Sequence, residues 1–143
     1  MARFAVDGNA DGRIDLNNNM PDILASVANY FKMHGWQTSM PTHYSVRFAP
    51  EQTESQRAEL LTPDILPSFS PARLQELGVL ADASWAQSSG KLALIELKNG
   101  DAPPSYVLGT ENFYVITRYN WSAYYAMAVI ELGQAVAAAR AAR

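Results

Sequence analysis

The chain is 143 residues long, 48% hydrophobic and only 17% charged, with a formal net charge of −3. That size suits one compact domain, or one domain carrying an insertion, and the lack of any basic run excludes a nucleic-acid footprint. With no cysteine, disulfides, thiol chemistry and Cys/His zinc sites are excluded, and any redox compartment is compatible. No apolar run reaches the roughly 18 residues a membrane span needs, and MARFAVDG has no apolar region of a signal peptide.

Residues 7–15 read DGNADGRID. Oxygen-bearing side chains alternate at Asp7, Asn9 and Asp11, followed by Gly12. This is the first half of an EF-hand-type calcium loop, in which a hard cation collects several oxygens at about 2.3–2.6 Å from one coiled segment. Gly12 permits the sharp turn, and Arg13 offers its backbone carbonyl. Ile14 is expected to anchor the loop to a core. The second half departs from the motif. The twelfth position, normally a bidentate glutamate, is Asn18, inside Asn17–Asn19. The next carboxylate is Asp22, placed to close the site from the first turn of the following helix. An Asx-rich turn without metal is the competing reading. An EF-hand is ordinarily helix–loop–helix. No helix precedes this loop, so the chain is expected to begin mid-domain.

Residues 21–34 place Ile23, Leu24, Val27, Ala28, Tyr30 and Phe31 at helical spacing. Pro21 fits the first turn and Gly35 the C-terminal stop. Residues 37–110 are richer in prolines and turns. There, 42–49 alternates as a strand. Ser70-Pro71 opens a short helix that Gly78 ends. Residues 91–97 and 105–108 pair as a hairpin around Asn99-Gly100. The polar stretch holding Glu51, Glu54 and Glu59 reads as solvated. Residues 111–120 begin with an apolar-aromatic run. Residues 121–142 form a long helix capped by Ser122, with Tyr125, Val129, Leu132 and Val136 as its stripe.

Two blocks, FAVDGNADGRIDL…PDILASVANYFKMHGW and NFYVITRYNWSAYYAMAVIELGQAV, resemble the C-terminal part of the membrane-bound lytic murein transglycosylase B family. The resemblance is close in these flanking blocks and loose in 37–110. It implies an α+β fold: the C-terminal part of a lysozyme-like helical core with an inserted small β-rich domain. The implied division is 1–36 for calcium loop and core helix, 37–110 for the insert, and 111–143 for the return to the core.

The resemblance also implies site residues. Asp22 takes the place of the aspartate that closes the family's calcium loop, with a loop here one residue longer. The metal ligands are then Asp7, Asn9, Asp11, Arg13 and Asp22, and the cofactor is calcium. Tyr30, Tyr119, Asn120 and Tyr125 match residues that line the glycan cleft. Tyrosine offers a flat apolar face and a hydroxyl, asparagine a donor and an acceptor. Read without the resemblance, Tyr30 and Tyr125 fall on apolar helix stripes and would be core aromatics.

The family's single catalytic glutamate acts as acid on the glycosidic oxygen, then as base on the muramic 6-hydroxyl, leaving a 1,6-anhydromuramyl end without consuming water. It precedes the calcium loop and is absent from this chain. None of Glu51, Glu54, Glu59, Glu76, Glu96, Glu111 or Glu131 matches its motif. The expected function is therefore part of a lytic transglycosylase cleaving peptidoglycan, inactive without its catalytic piece. The alternative is a calcium-dependent interaction or glycan-binding module without catalysis. The implied partners are glycan strands, with a complementary N-terminal catalytic chain or self-association, and the implied location is the periplasm.

Overall fold

The computed structural model describes residues 2–142. A 3-10 turn, Ala2–Phe4, precedes five α-helices and three β-strands. In chain order these are α1 (Met20–Met33), β1 (His43–Ser45), α2 (Glu54–Leu61), α3 (Pro71–Glu76), β2 (Ala93–Asn99), β3 (Ala102–Gly109), α4 (Glu111–Thr117) and α5 (Ala123–Ala141). The fold is α+β, as the sequence implied. It comprises two compact units, Met1–Thr38 and Ser39–Arg143.

The first unit is α1 and the segment that precedes it. Asn19 caps α1 by accepting from the Asp22 amide at 3.2 Å, Pro21 sits in the first turn, and Gly35 leaves the helix at φ +96°. Of the expected apolar face only Tyr30 is buried. Leu24 is 61% exposed, and Val27 and Ala28 are also exposed. Asp22 and Ser26 are buried beside Tyr30. The cause lies in residues 4–15, which form no ladder of their own, so their polar groups need side-chain partners. α1 supplies these at four- and three-residue steps. Asp22 accepts from Gly8 and Asp15, Ser26 accepts from the Val6 amide at 2.9 Å, and Asn29 donates to the Phe4 carbonyl at 3.0 Å.

The second unit centres on an antiparallel sheet of order β1-β3-β2. His43 pairs with Gly109 on one side of β3, and Ala93 pairs with Gly109 on the other. The hairpin forms around Gly100 at φ +62°, as Asn99-Gly100 implies. Pro103 and Pro104 fit within β3 because β1 reaches only residues 107–109, so the prolines have a ladder partner on one side alone. One sheet face carries Leu94 and Leu108 into a core with Leu60, Phe69, Leu74, Val79, Trp85 and Leu92.

β1 and α5 differ from expectation, and α2 and α4 form where the sequence implied no particular element. The strand expected over 42–49 is only His43–Ser45, with Phe48 in a separate bridge to Val79. The polar stretch around Glu54 and Glu59 is helix α2, started by a reciprocal box in which Thr53 and Gln56 satisfy each other's amides. The run 111–117 is helix α4, capped by Thr110. On α5 the buried positions are Ala126 and Ile130, not the expected stripe, and Leu132 and Val136 are 66% and 51% exposed.

Candidate functional site

The N-terminal loop is organised by its own acids. Asp7 accepts from the Gly12 amide at 2.7 Å and the Asp11 amide at 3.2 Å. Asn9 accepts from Asp11 N and donates to Asp11 Oδ2. Asp11 Oδ1 accepts from the Arg13 amide at 2.9 Å. Gly12 adopts φ +88°, the left-handed turn its position requires. Asp22, fully buried, binds both ends of the loop: Oδ1 accepts from Gly8 and Oδ2 from Asp15, each at 2.8 Å.

Among the described residues, no three acidic or histidine groups converge where a metal ion could be held. The carboxylates of Asp7, Asp11 and Asp22 are turned toward backbone amides. The donor chemistry nevertheless fits a hard divalent cation, because Asp7, Asn9, Asp11, the Arg13 carbonyl and Asp22 together are all oxygen. Ile14 does not anchor the loop; it is 52% exposed. Asp15 is a member that sequence reasoning passed over. It accepts from the amides of Asn17 and Asn18, which lower its carboxyl below the ordinary range. The signal was present in the Asp-x-Asn spacing of an Asx turn.

The sugar-binding candidates fall in both units. Tyr30, in the first, is 8% exposed, with its ring 5.1 Å from Phe4 and 4.1 Å from His34. Tyr119, Asn120 and Tyr125, in the second, come from the α4–α5 connection and the start of α5. Tyr119 is 62% exposed, Asn120 is exposed, and the Tyr119 and Tyr125 rings lie 6.3 Å apart at 33°. Two more exposed aromatics join this surface: Trp121, edge-on to Tyr114 at 5.8 Å, and Tyr124. The sequence signal for them was the aromatic density of YNWSAYY, which the stripe reading of α5 obscured. Ser122 begins α5 by accepting from the Tyr125 amide at 3.2 Å, and this cap fixes where Tyr125 leaves the helix.

A general acid on a glycosidic oxygen is ordinarily a carboxyl sheltered from solvent near the scissile bond. Glu51, Glu54, Glu59, Glu76 and Glu131 are exposed. Glu96 accepts from the Tyr106 hydroxyl at 2.9 Å, and Glu111 lies in the first turn of α4.

Residues 1–134 match the family described as Transglycosylase SLT domain, and the chain belongs to that family. It is 38% identical to membrane-bound lytic murein transglycosylase B of Escherichia coli (strain K12), over 96% of this chain and 35% of that protein. The chain thus spans about a third of that relative's length. The catenated lytic transglycosylase SltB1 of Pseudomonas aeruginosa superposes with a TM-score of 0.83 at 36% identity, covering 97% of this chain and 44% of the other. The Escherichia coli lytic transglycosylase Slt35, solved in complex with calcium, gives 0.76 at 36% identity, covering 98% and 41%.

Proposed function

We propose that this chain is part of a lytic transglycosylase that cleaves peptidoglycan between N-acetylmuramic acid and N-acetylglucosamine, leaving a 1,6-anhydromuramyl end. The observation that carries this reading is the family match across residues 1–134. In it, residues 1–36 and 111–143 belong to the lysozyme-like core and 37–110 to the inserted domain. The protein works in the periplasm, associated with the outer membrane through a part outside this chain. The catalytic glutamate comes from outside residues 1–143, on a complementary catalytic segment. The exposure of Glu51, Glu54, Glu59, Glu76 and Glu131 supports that.

Within this reading, Asp7, Asn9, Asp11, the Arg13 carbonyl and Asp22 hold calcium. The calcium complex of Slt35 supports the assignment, as does the all-oxygen donor set. The ion's role would be structural: Asp7, Asp11 and Asp22 would hold an ion that offsets two of their three negative charges and ties the loop to α1. Tyr119 and Tyr125 offer their ring faces to sugar, Asn120 a donor and an acceptor, and Tyr30 carries the same family role from the first unit.

Digestion of purified murein sacculi tests the reading. The chain should sediment with sacculi and release no 1,6-anhydro muropeptides by mass spectrometry. Tyr119→Ala should weaken sedimentation while leaving the fold intact. Anhydro products from the pure chain would overturn the placement of the glutamate, and no sedimentation would overturn the glycan assignment.

A further inference from the structure

On β2 the side chains of Leu94 and Glu96 share one face by the two-residue period of a strand, and Lys98 follows at the register irregularity between Leu97 and Asn99. Leu94 is in the core, Glu96 is half-buried, and Lys98 is exposed. Where this face leaves the core it opens into a cavity of about 370 Å³, lined by Leu61, Asp64, Leu94, Glu96, Lys98 and Tyr124. Three charged groups of both signs therefore line one small concavity.

Each carboxylate is held through one oxygen only. Trp121 Nε1 donates to Asp64 Oδ2 at 3.3 Å, and the Tyr106 hydroxyl donates to Glu96 Oε2 at 2.9 Å. Among the described residues, Asp64 Oδ1 and Glu96 Oε1 make no further hydrogen bond, and the Lys98 ammonium forms no ion pair with either acid. The Tyr124 wall is fixed: its hydroxyl accepts from the Lys98 amide at 2.6 Å and faces the Lys98 carbonyl at 3.4 Å. Fixed carboxylates with an open oxygen, next to an unpaired ammonium, suit a ligand that brings both a carboxylate and an ammonium group. A neutral sugar could hydrogen-bond to these groups but would not compensate their charges.

The cavity is shaped in part by the chain segment that carries the sugar-binding candidates. Trp121, which holds Asp64, follows Asn120 in sequence, and Tyr124 precedes Tyr125. We propose that this cavity receives the peptide stem of the murein strand, with Lys98 taking a stem carboxylate and Asp64 and Glu96 taking the ammonium of its diamino acid. This rests on the murein reading above and adds a peptide subsite to it.

The test is an amide-resolved NMR titration of the 143-residue chain with two probes. One is the free tripeptide L-alanyl-γ-D-glutamyl-meso-diaminopimelate; the other is chitotetraose, which carries no peptide. The tripeptide should move the amides of Lys98 and Tyr124. Lys98→Met should weaken it about tenfold or more, as loss of a charge-assisted hydrogen bond does, and leave chitotetraose binding unchanged. Asp64→Asn, which keeps an acceptor for Trp121, should weaken the tripeptide as well, and its unchanged circular dichroism would exclude misfolding. Chitotetraose binding without tripeptide binding, or equal tripeptide binding by Lys98→Met, would overturn the peptide subsite alone. Failure of both probes would overturn the murein reading with it.

Discussion

The Gly8 amide donates to Oδ1 of Asp22 at 2.8 Å, and Gly8 lies so close to the start of α1 that a Cβ there would sit 2.2 Å from the Pro21 carbonyl oxygen. The carbonyl is backbone of a capped helix and cannot give way cheaply. Gly8→Ala must therefore lift the loop off α1 and break a hydrogen bond to a buried charge. Urea unfolding should show a loss of about 2–3 kcal/mol. Gly12→Ala offers the contrast. Its Cβ would meet nothing within 4 Å, but φ +88° is strained for alanine, so about 1 kcal/mol is expected. Equal losses would mean the Gly8–Asp22 approach contributes nothing special.

Calcium should stabilise the chain by mass action. A ligand bound only by the folded state adds about 2.7 kcal/mol at a hundredfold excess over its Kd. The thermal midpoint should rise with calcium in the parent chain. Asp11→Asn keeps an acceptor for the Arg13 amide but removes one of three ligand charges, so the rise should vanish at the same calcium concentration while the metal-free midpoint changes little. A full calcium response in Asp11→Asn would remove Asp11 from the ligand set.

What could be read from the sequence follows from how local each signal is. The caps of α1, α3 and α5 and the Asn99-Gly100 turn are written in adjacent residues, and all form as expected. Helix α2 was missed though its Thr53/Gln56 box is equally local, because its outward polar face outweighed one buried residue, Leu60. The buried face of α1 was legible only at Tyr30, for a different reason. Apolar periodicity says nothing about an irregular segment whose amides need Asp22 and Ser26. The donor types of the calcium loop were legible, but not the Asp22 bridge between Gly8 and Asp15, which depends on how the chain returns on itself. The cavity beside Tyr124 joins residues from Leu61 to Tyr124, and no local pattern could announce it.

His43 gives the chain a pH-dependent stability. Its imidazole is half-buried, with Nδ1 at 2.9 Å from the Thr42 hydroxyl, and burial lowers its pKa below 6.5 although the Glu131 carboxylate pulls the other way. In the window between 6.5 and the lower folded value, the unfolded chain holds more protons, so stability rises with pH there. Stability should be complete above the unfolded value of 6.5 and decline as pH falls through that window. Asp15 and Asp82 do not interfere, since their carboxyls lie below 3.8. Denaturation midpoints at a series of pH values should show the decline in the parent chain and a reduced one in His43→Gln. A slope that persists unchanged in the variant would assign it to another group.

Trp85 is 1% exposed in the core of the second unit, and its buried indole Nε1–H has no hydrogen-bond partner among the described residues. A buried orphan donor costs about 1–3 kcal/mol, which the chain bears for the ring's apolar contacts. Trp85→Phe removes the donor and leaves a small void, costing on the order of 1 kcal/mol at about 24 cal/mol per Å³. The two effects oppose each other, so unfolding should shift by less than about 1 kcal/mol in either direction. Leu94→Ala, in the same cluster and fully buried, has no such offset and should cost about 2–5 kcal/mol. Far-ultraviolet circular dichroism is the suitable probe, since the substitution removes a fluorophore. If Trp85→Phe cost as much as Leu94→Ala, the indole would have to be satisfied by a buried water, and the orphan assignment would fail.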